Sequence, residues 1–167
     1  MPKVSPKVSV GRKVPEFTAA ASATASPAAT GGATWKLSDT RGEKLVIYFY
    51  PKDMTTGCTR ESQGFRDLHA AFRKAKVRVV GVSRDSLKSH DKFRDKEELP
   101  FELLADEDET VCKLFDVIRE KSLYGRKYLG IDRSTFLIDA EGVLRREWRG
   151  VKVPGHVEEV LEAAKSL

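Results

Sequence analysis

The chain has 167 residues, 40% of them hydrophobic, with 30 Lys and Arg against 25 Asp and Glu, a formal net charge of +5. A length of this order suits one domain, which buries roughly 70% of the surface its unfolded chain exposes and needs no disulfide framework or structural metal. The two cysteines form no C-x-x-C pair and no zinc-type cluster, and no apolar run reaches about 18 residues, so a soluble cytoplasmic protein with free thiols is expected, without a membrane partner or a cofactor.

Residues 1–13, MPKVSPKVSVGRK, read as a basic N-terminal arm. They lack the apolar stretch of a signal peptide and the interleaved aromatics of a nucleic-acid-binding tail, so nucleic acid is not an expected partner. A single domain is expected over 14–167, with the small, polar segment AAASATASPAATGGAT at 19–34 as a flexible surface insertion.

Regular hydrophobic patterning begins at LVIYFY (45–50), too short for a helix and apolar on both faces, as in a central strand of a covered sheet. Phe65, Leu68 and Phe72 recur at helical spacing within 58–75, and VRVVGVS (77–83) follows as a strand, completing a βαβ unit. A charged helix at 86–97 carries Leu87 and Phe93 inward. Phe101–Leu104 reads as a short strand, and Val111, Leu114, Phe115 and Ile118 mark a further helical face. A loop through Tyr124 and Gly130 leads to a hairpin of STFLID (134–139) and VLRREWRG (143–150), and HVEEVLEAAKSL closes the chain as a helix. The order β-α-β-α-β-α-β-β-α implies an α/β fold, a mixed sheet flanked by helices.

The chemistry concentrates where the first core strand turns into its helix. Pro51-x-x-x-Thr55-x-x-Cys58 sets one thiol in the first helical turn, where unpaired backbone N–H groups and the helix dipole favour a thiolate. Thr55, three residues earlier, can orient an oxygen of whatever the sulfur attacks. A phosphatase of the C-x₅-R type is disfavoured because Gly64 stands at the arginine position, and a disulfide oxidoreductase because position 61 is glutamate. His69, His90 and His156 show no i, i+4 pairing and read as surface or capping residues.

The strings FYPKDMTTGCTRE, GVSRDSLKSHDKF, LFDVIREKSLYG and IDRSTFLID closely resemble the peroxiredoxins, in particular the bacterioferritin-comigratory-protein or peroxiredoxin Q group, over about residues 35–167. The resemblance implies a thioredoxin-like fold and reduction of hydrogen peroxide or organic hydroperoxides at the expense of an external thiol. By that likeness Cys58 is the peroxidatic cysteine, Thr55 the hydroxyl that contacts the peroxide, Pro51 the ring shielding the pocket and Arg133 the guanidinium beside the sulfur. Gly57 allows close approach, its N–H and that of Cys58 can face the peroxide, and Glu61 matches the acid that holds the arginine.

The group's resolving cysteine usually lies five residues after the peroxidatic one or on the next helix, positions held here by Gln63 and Arg94. A one-cysteine cycle with thioredoxin, glutaredoxin or glutathione as reductant is therefore the leading expectation, in a monomer. The alternatives are a two-cysteine peroxidase using Cys112 as resolving thiol, and a redox-sensing or chaperone-like binding protein. Met54, where the group commonly has asparagine, and Thr56, where it commonly has proline, are departures expected to alter loop stiffness and leave the reaction type intact.

Overall fold

Along the run after Lys44, Leu45, Ile47 and Phe49 alternate with Val46, Tyr48 and Tyr50, and every one of these side chains is buried. Period-two alternation with both faces apolar requires a strand covered on both sides. A computed structural model, which describes residues 8–22 and 34–167, has that strand as β3 (Lys44–Phe49). It runs parallel to β4 (Val77–Ser83) and antiparallel to β8 (Ser134–Ile138). Four more strands, β1 (Thr18–Ala21), β2 (Thr34–Lys36), β5 (Leu103–Ala105) and β9 (Leu144–Trp148), complete a seven-stranded mixed sheet in the order β2-β1-β5-β4-β3-β8-β9. The expected α/β architecture, a mixed sheet with β3 inside it, is present.

The alternation of β3 divides the interior into two cores. Leu45, Ile47 and Phe49 join Phe17, Val82, Leu104, Phe115 and Phe136 on one face. Val46, Tyr48 and Tyr50 join Phe65, Phe72, Phe93 and Val160 on the other. The second face is covered by α1 (Thr56–Asp67), α2 (His69–Lys74), α5 (His156–Lys165) and Phe93 of α3 (Leu87–Lys96), and the first by α4 (Thr110–Leu114) and the N-terminal segment around Val14 and Phe17. Full burial of such an aliphatic or aromatic side chain contributes about 1.5–3 kcal/mol, so the sheet is held from both sides.

Several expectations are corrected. The helix expected over 58–75 is two, because Leu68, at φ −98° and ψ 6°, departs from helical geometry between α1 and α2. The helical face expected through Ile118 stops at Leu114. Asp116 adopts φ 55° and turns the chain, and Ile118 opens a strand instead. The loop expected through Tyr124 and Gly130 is an antiparallel ribbon of β6 (Ile118–Leu123) and β7 (Arg126–Ile131), separate from the main sheet. Its two turn residues, Tyr124 and Gly125, have φ 51° and 77°, the left-handed pair that a two-residue hairpin demands.

The segment expected to be a flexible insertion at 19–34 begins and ends in strands. Ala20 and Ala21 pair with Ala105 and Leu104, and Thr34 pairs with Ala20. Sheet pairing here rests on backbone hydrogen bonds, and neighbouring strands override the weak β preference of alanine. The basic arm is likewise fastened at its end: Gly11 N–H donates to the Leu144 carbonyl, Leu144 N–H to that of Arg12, and Lys13 bridges Val143. The remainder of both expectations, at 1–7 and 23–33, lies outside the described residues. No helix among the described residues is long and apolar enough to cross a membrane.

Candidate active site

β3 delivers its chain end to the site. Tyr50 N–H still donates to the Val82 carbonyl, the loop Pro51–Thr55 then turns, and α1 starts at Thr56 with Cys58 in its first turn. Cys58 is 1% exposed. Arg133 reaches it from the junction of β7 and β8, 75 positions along the chain: its Nη2 donates to Cys58 Sγ at 3.4 Å, while Nη1 donates to Glu61 Oε1 at 2.7 Å. Glu61 lies one helical turn after Cys58, so both side chains project from α1 toward the same guanidinium. A Cβ at Gly57 would stand 3.2 Å from Arg133 Nη2, so the absence of a side chain leaves room for the guanidinium at the start of the helix.

Thr55 is exposed, and its hydroxyl donates to the Lys52 carbonyl at 2.9 Å. With that proton engaged, the threonine oxygen is free to accept only. Pro51 lies half-buried directly after Tyr50. Met54 adopts φ 65°, a left-handed conformation that asparagine tolerates and a long side chain does not, and its side chain is 46% exposed.

The loop is fastened by polar groups that no local sequence pattern singles out. Asp53 is buried and accepts from the Tyr50 hydroxyl at 2.6 Å, from Ser89 Oγ at 2.8 Å and lies 2.7 Å from His90 Nδ1. His90 Nε2 is 2.9 Å from the Leu104 carbonyl, and that oxygen can only accept, so Nε2 carries a proton. Asp53 N–H donates to Asp85, which also accepts from Ser83 Oγ. Asp53, Asp85 and His90 bring their ligand atoms within 4.8 Å of one another, a spacing compatible with a cation. The donors already directed at both carboxylates make the cluster a hydrogen-bonded clamp joining the loop to α3 and β4.

The expectation that the histidines are surface or capping residues is therefore corrected for His90 and His156. His90 is fully buried in the clamp. His156, at the start of α5, is buried with Nε2 2.8 Å from Thr135 Oγ1, and burial pushes its pKa down to about 4. His69 is half-buried.

Burial dominates the electrostatics of the pocket. It would lower the pKa of Arg133, but Glu61 and Cys58 beside it more than offset that and hold the guanidinium above its ordinary range. Burial raises Glu61 to about 7 against the opposing pull of Arg133, and Glu61 Oε2 is a buried oxygen without a hydrogen-bond partner. Tyr48, whose hydroxyl is 2.8 Å from Ser62 Oγ, is pushed well above the ordinary phenol range by burial. Lys121 on β6 donates to the Ile131 carbonyl, and burial lowers its pKa while Asp132 and Cys58 act to raise it.

The structure thus brings together Cys58, Gly57, Glu61 and Arg133, with Thr55 and Pro51 in the adjoining loop. It does not bring Cys112 to them. Cys112 belongs to the core on the opposite face of the sheet, with Phe49 and Phe115, and burial together with Asp106 keeps its thiol protonated. Gln63 bonds Glu97, and Arg94, nearly buried, donates to the Leu99 carbonyl and to the carbonyl and hydroxyl of Ser22.

Residues 10–147 match the model of the AhpC/TSA family. A putative peroxiredoxin bcp of Coxiella burnetii is 47% identical over 154 residues, covering 92% of this chain and 97% of its own length. Peroxiredoxin Bcp of Bacillus subtilis is 51% identical over 136 residues, covering 81% and 87%. Among solved structures, a peroxiredoxin Q mutant of Xylella fastidiosa superposes with a TM-score of 0.86 at 40% identity, covering 97% of this chain and 98% of that one. The bacterioferritin comigratory protein of Xanthomonas campestris, described for its alkyl peroxide reduction activity, superposes with a TM-score of 0.81 at 47% identity, covering 90% of each. Likeness of this extent in sequence and fold, converging on a buried cysteine held by a distant arginine, makes the chain a member of the AhpC/TSA family, in its Bcp and peroxiredoxin Q branch.

Proposed function

We propose that this thiol peroxidase works through Cys58 in a one-cysteine cycle, with Arg133, Thr55 and the backbone N–H groups of Gly57 and Cys58 stabilising the moving charge, Glu61 holding Arg133 and Pro51 shielding the pocket. The observation that carries the reading is the double contact of Arg133, one nitrogen on Cys58 Sγ and another on Glu61. Sulfur attacks one peroxide oxygen, the S–O bond forms as O–O breaks, and both electrons of the broken bond leave with the far oxygen as hydroxide or alkoxide. Charge moves from sulfur toward oxygen, and a planar guanidinium can follow it because its second nitrogen stays anchored. Thr55, its own proton directed to the Lys52 carbonyl, accepts a hydrogen bond from the peroxide and orients the molecule. The alkyl peroxide activity described for the Xanthomonas protein supports organic hydroperoxides beside hydrogen peroxide as substrates.

The sulfenic acid so formed must be met by a thiol before further peroxide drives it to sulfinic acid. A disulfide needs Cα atoms within about 7 Å, and Cys58 and Cys112 are packed in separate cores with the sheet between them. An outside thiol, from glutathione, glutaredoxin or thioredoxin, therefore attacks the sulfenic sulfur, releases water and leaves a mixed disulfide for a second thiol to cleave. Two free buried thiols suit a reducing, cytoplasmic setting, and the likeness to the Bcp group suits a monomer.

Intact mass after one equivalent of hydrogen peroxide tests the cycle. A gain of one oxygen located at Cys58 is expected. Loss of two hydrogens through a Cys58–Cys112 bond would replace this cycle by a two-cysteine one, and a doubled mass would mean an intermolecular disulfide.

A further inference from the structure

Arg133 is one cation between two groups that can each be anionic. Its nitrogens lie 2.7 Å from Glu61 Oε1 and 3.4 Å from Cys58 Sγ, and both partners are closed off from solvent, Glu61 at 0% exposure and Cys58 at 1%. Glu61 spends only one of its oxygens on Arg133. The other, Oε2, is buried without a partner, a position that costs a charged carboxylate a desolvation penalty with nothing returned, whereas a protonated oxygen there carries no charge to solvate. Two buried negative charges against one positive charge also repel each other in a medium that screens weakly.

Among the described residues no cation other than Arg133 pairs with the carboxyl. From β3, Tyr48 faces it as a neutral phenol already bonded to Ser62 of α1. From β6, Lys121 acts on Cys58 and Arg133 but is directed to the Ile131 carbonyl. From α5, His156 acts on Arg133 and is bonded to Thr135 of β8. Asp53, beyond Tyr48, is held in its own clamp with His90.

We propose that Glu61 carries a proton while Cys58 is a thiolate and releases it as Cys58 becomes a sulfenic acid, so that Arg133 keeps one counter-anion throughout the peroxide step. The inference rests on the assignment of Cys58 as the attacking sulfur. The exchange balances: thiolate, hydroperoxide and the carboxylic acid of Glu61 become sulfenic acid, alcohol and the carboxylate of Glu61. The S–O bond replaces O–O, sulfur is oxidised by two electrons, the peroxide is reduced by two, and the proton lost by Glu61 neutralises the leaving alkoxide in the overall count. Arg133 pairs with sulfur before the reaction and with the carboxylate after it, and its net environment stays neutral. Glu61 is thus a positioning residue that acts through Arg133. Its burial, which places its titration near 7, puts the exchange within the working pH range.

Infrared difference spectroscopy on the reduced protein and on the protein oxidised by one equivalent of hydrogen peroxide in the absence of thiols tests this. The reduced form at pH 6 is expected to show the C=O stretch of one protonated, buried carboxyl per chain, lost on oxidation and absent throughout from Glu61→Gln. In the wild type the amplitude of that loss should shrink as pH rises through about 7. The rate of Cys58 oxidation should show a step in the same pH region that Glu61→Gln lacks, an effect a merely structural carboxylate would not produce. A reduced wild type without the band, a band that survives sulfenic acid formation, or a Glu61→Gln variant that keeps the step would overturn the proposal. Mass analysis of the same samples separates the two assignments. Oxygen gained at Cys58 without the carboxyl change sinks only the proton exchange, and no oxygen at Cys58 sinks the peroxidase site and the exchange together.

Discussion

Cys58 and Cys112 are the same residue, buried to the same degree, on opposite faces of one sheet, and their surroundings differ. Cys58 sits in the first turn of α1 with a guanidinium on its sulfur. Cys112 sits in the five-residue α4, whose Val111 and Cys112 N–H groups are already capped by Asp106, so the positive end of that helix is spent on a carboxylate and the nearby negative charge adds to burial in keeping the thiol protonated. Burial alone therefore says little about a thiol. What decides is whether the donors around it are free to serve a thiolate or already serve something else.

The sharpest way to break that contrast is substitution. Cys58→Ser should abolish peroxide consumption supported by dithiothreitol, while Cys112→Ser should leave it within about twofold, since a buried small hydrophobe is being exchanged away from the reacting atoms. Equal losses in the two variants would undo the distinction. Next in size, Arg133→Gln should slow oxidation of Cys58 by about a hundred- to a thousandfold, the usual cost of removing one preorganised donor to developing charge, read from the second-order rate with hydrogen peroxide. Alkylation probes the same difference without mutation. Iodoacetamide should modify Cys58 in the folded protein and reach Cys112 only once denaturant has unfolded it, as peptide masses would show.

A smaller effect concerns stability near the site. His156 has its pKa lowered from 6.5 to about 4, first by burial, so the folded state binds fewer protons than the unfolded chain in that interval. The stability it contributes is complete above pH 6.5 and lost as pH falls through about 4. The urea midpoint should drop across that window, and less so in His156→Gln. Smallest of all, Met54→Asn should relieve the left-handed strain and raise stability by about 1 kcal/mol, with peroxide turnover little changed.

Much of the site could be read from the chain because its parts lie close together in sequence. Pro51, Thr55, Gly57, Cys58 and Glu61 fall within one strand–loop–helix unit whose hydrophobic periodicity is clear. Arg133 was legible only through the likeness of its surroundings to a known family, since nothing local distinguishes it from a solvated arginine. Asp53 and His90 escaped for a different reason: they lie 37 positions apart, and only the parallel pairing of β3, β4 and β5 brings their elements together. The β6–β7 ribbon escaped because its strands alternate charged with exposed residues, Arg119, Glu120 and Lys121 against Lys127 and Tyr128, so no apolar period announces them. Tyr124-Gly125 was the available signal, a two-residue turn with glycine second. The strands at 18–21 and 34–36 rest on backbone pairing to neighbours, which no local pattern of alanine and threonine encodes.

The seven-stranded sheet has one more consequence. It stands as a wall between two thiols, Cys112 in one core and Cys58 in the other. A cysteine able to relieve the oxidised sulfur from within the chain would have to enter on the α1 and α3 side, where Gln63 now ties to Glu97 and Arg94 pins its helix to Leu99 and Ser22. Those bonds hold the two positions in place beside the pocket, so a cysteine introduced there would have to break them before it could reach the sulfur.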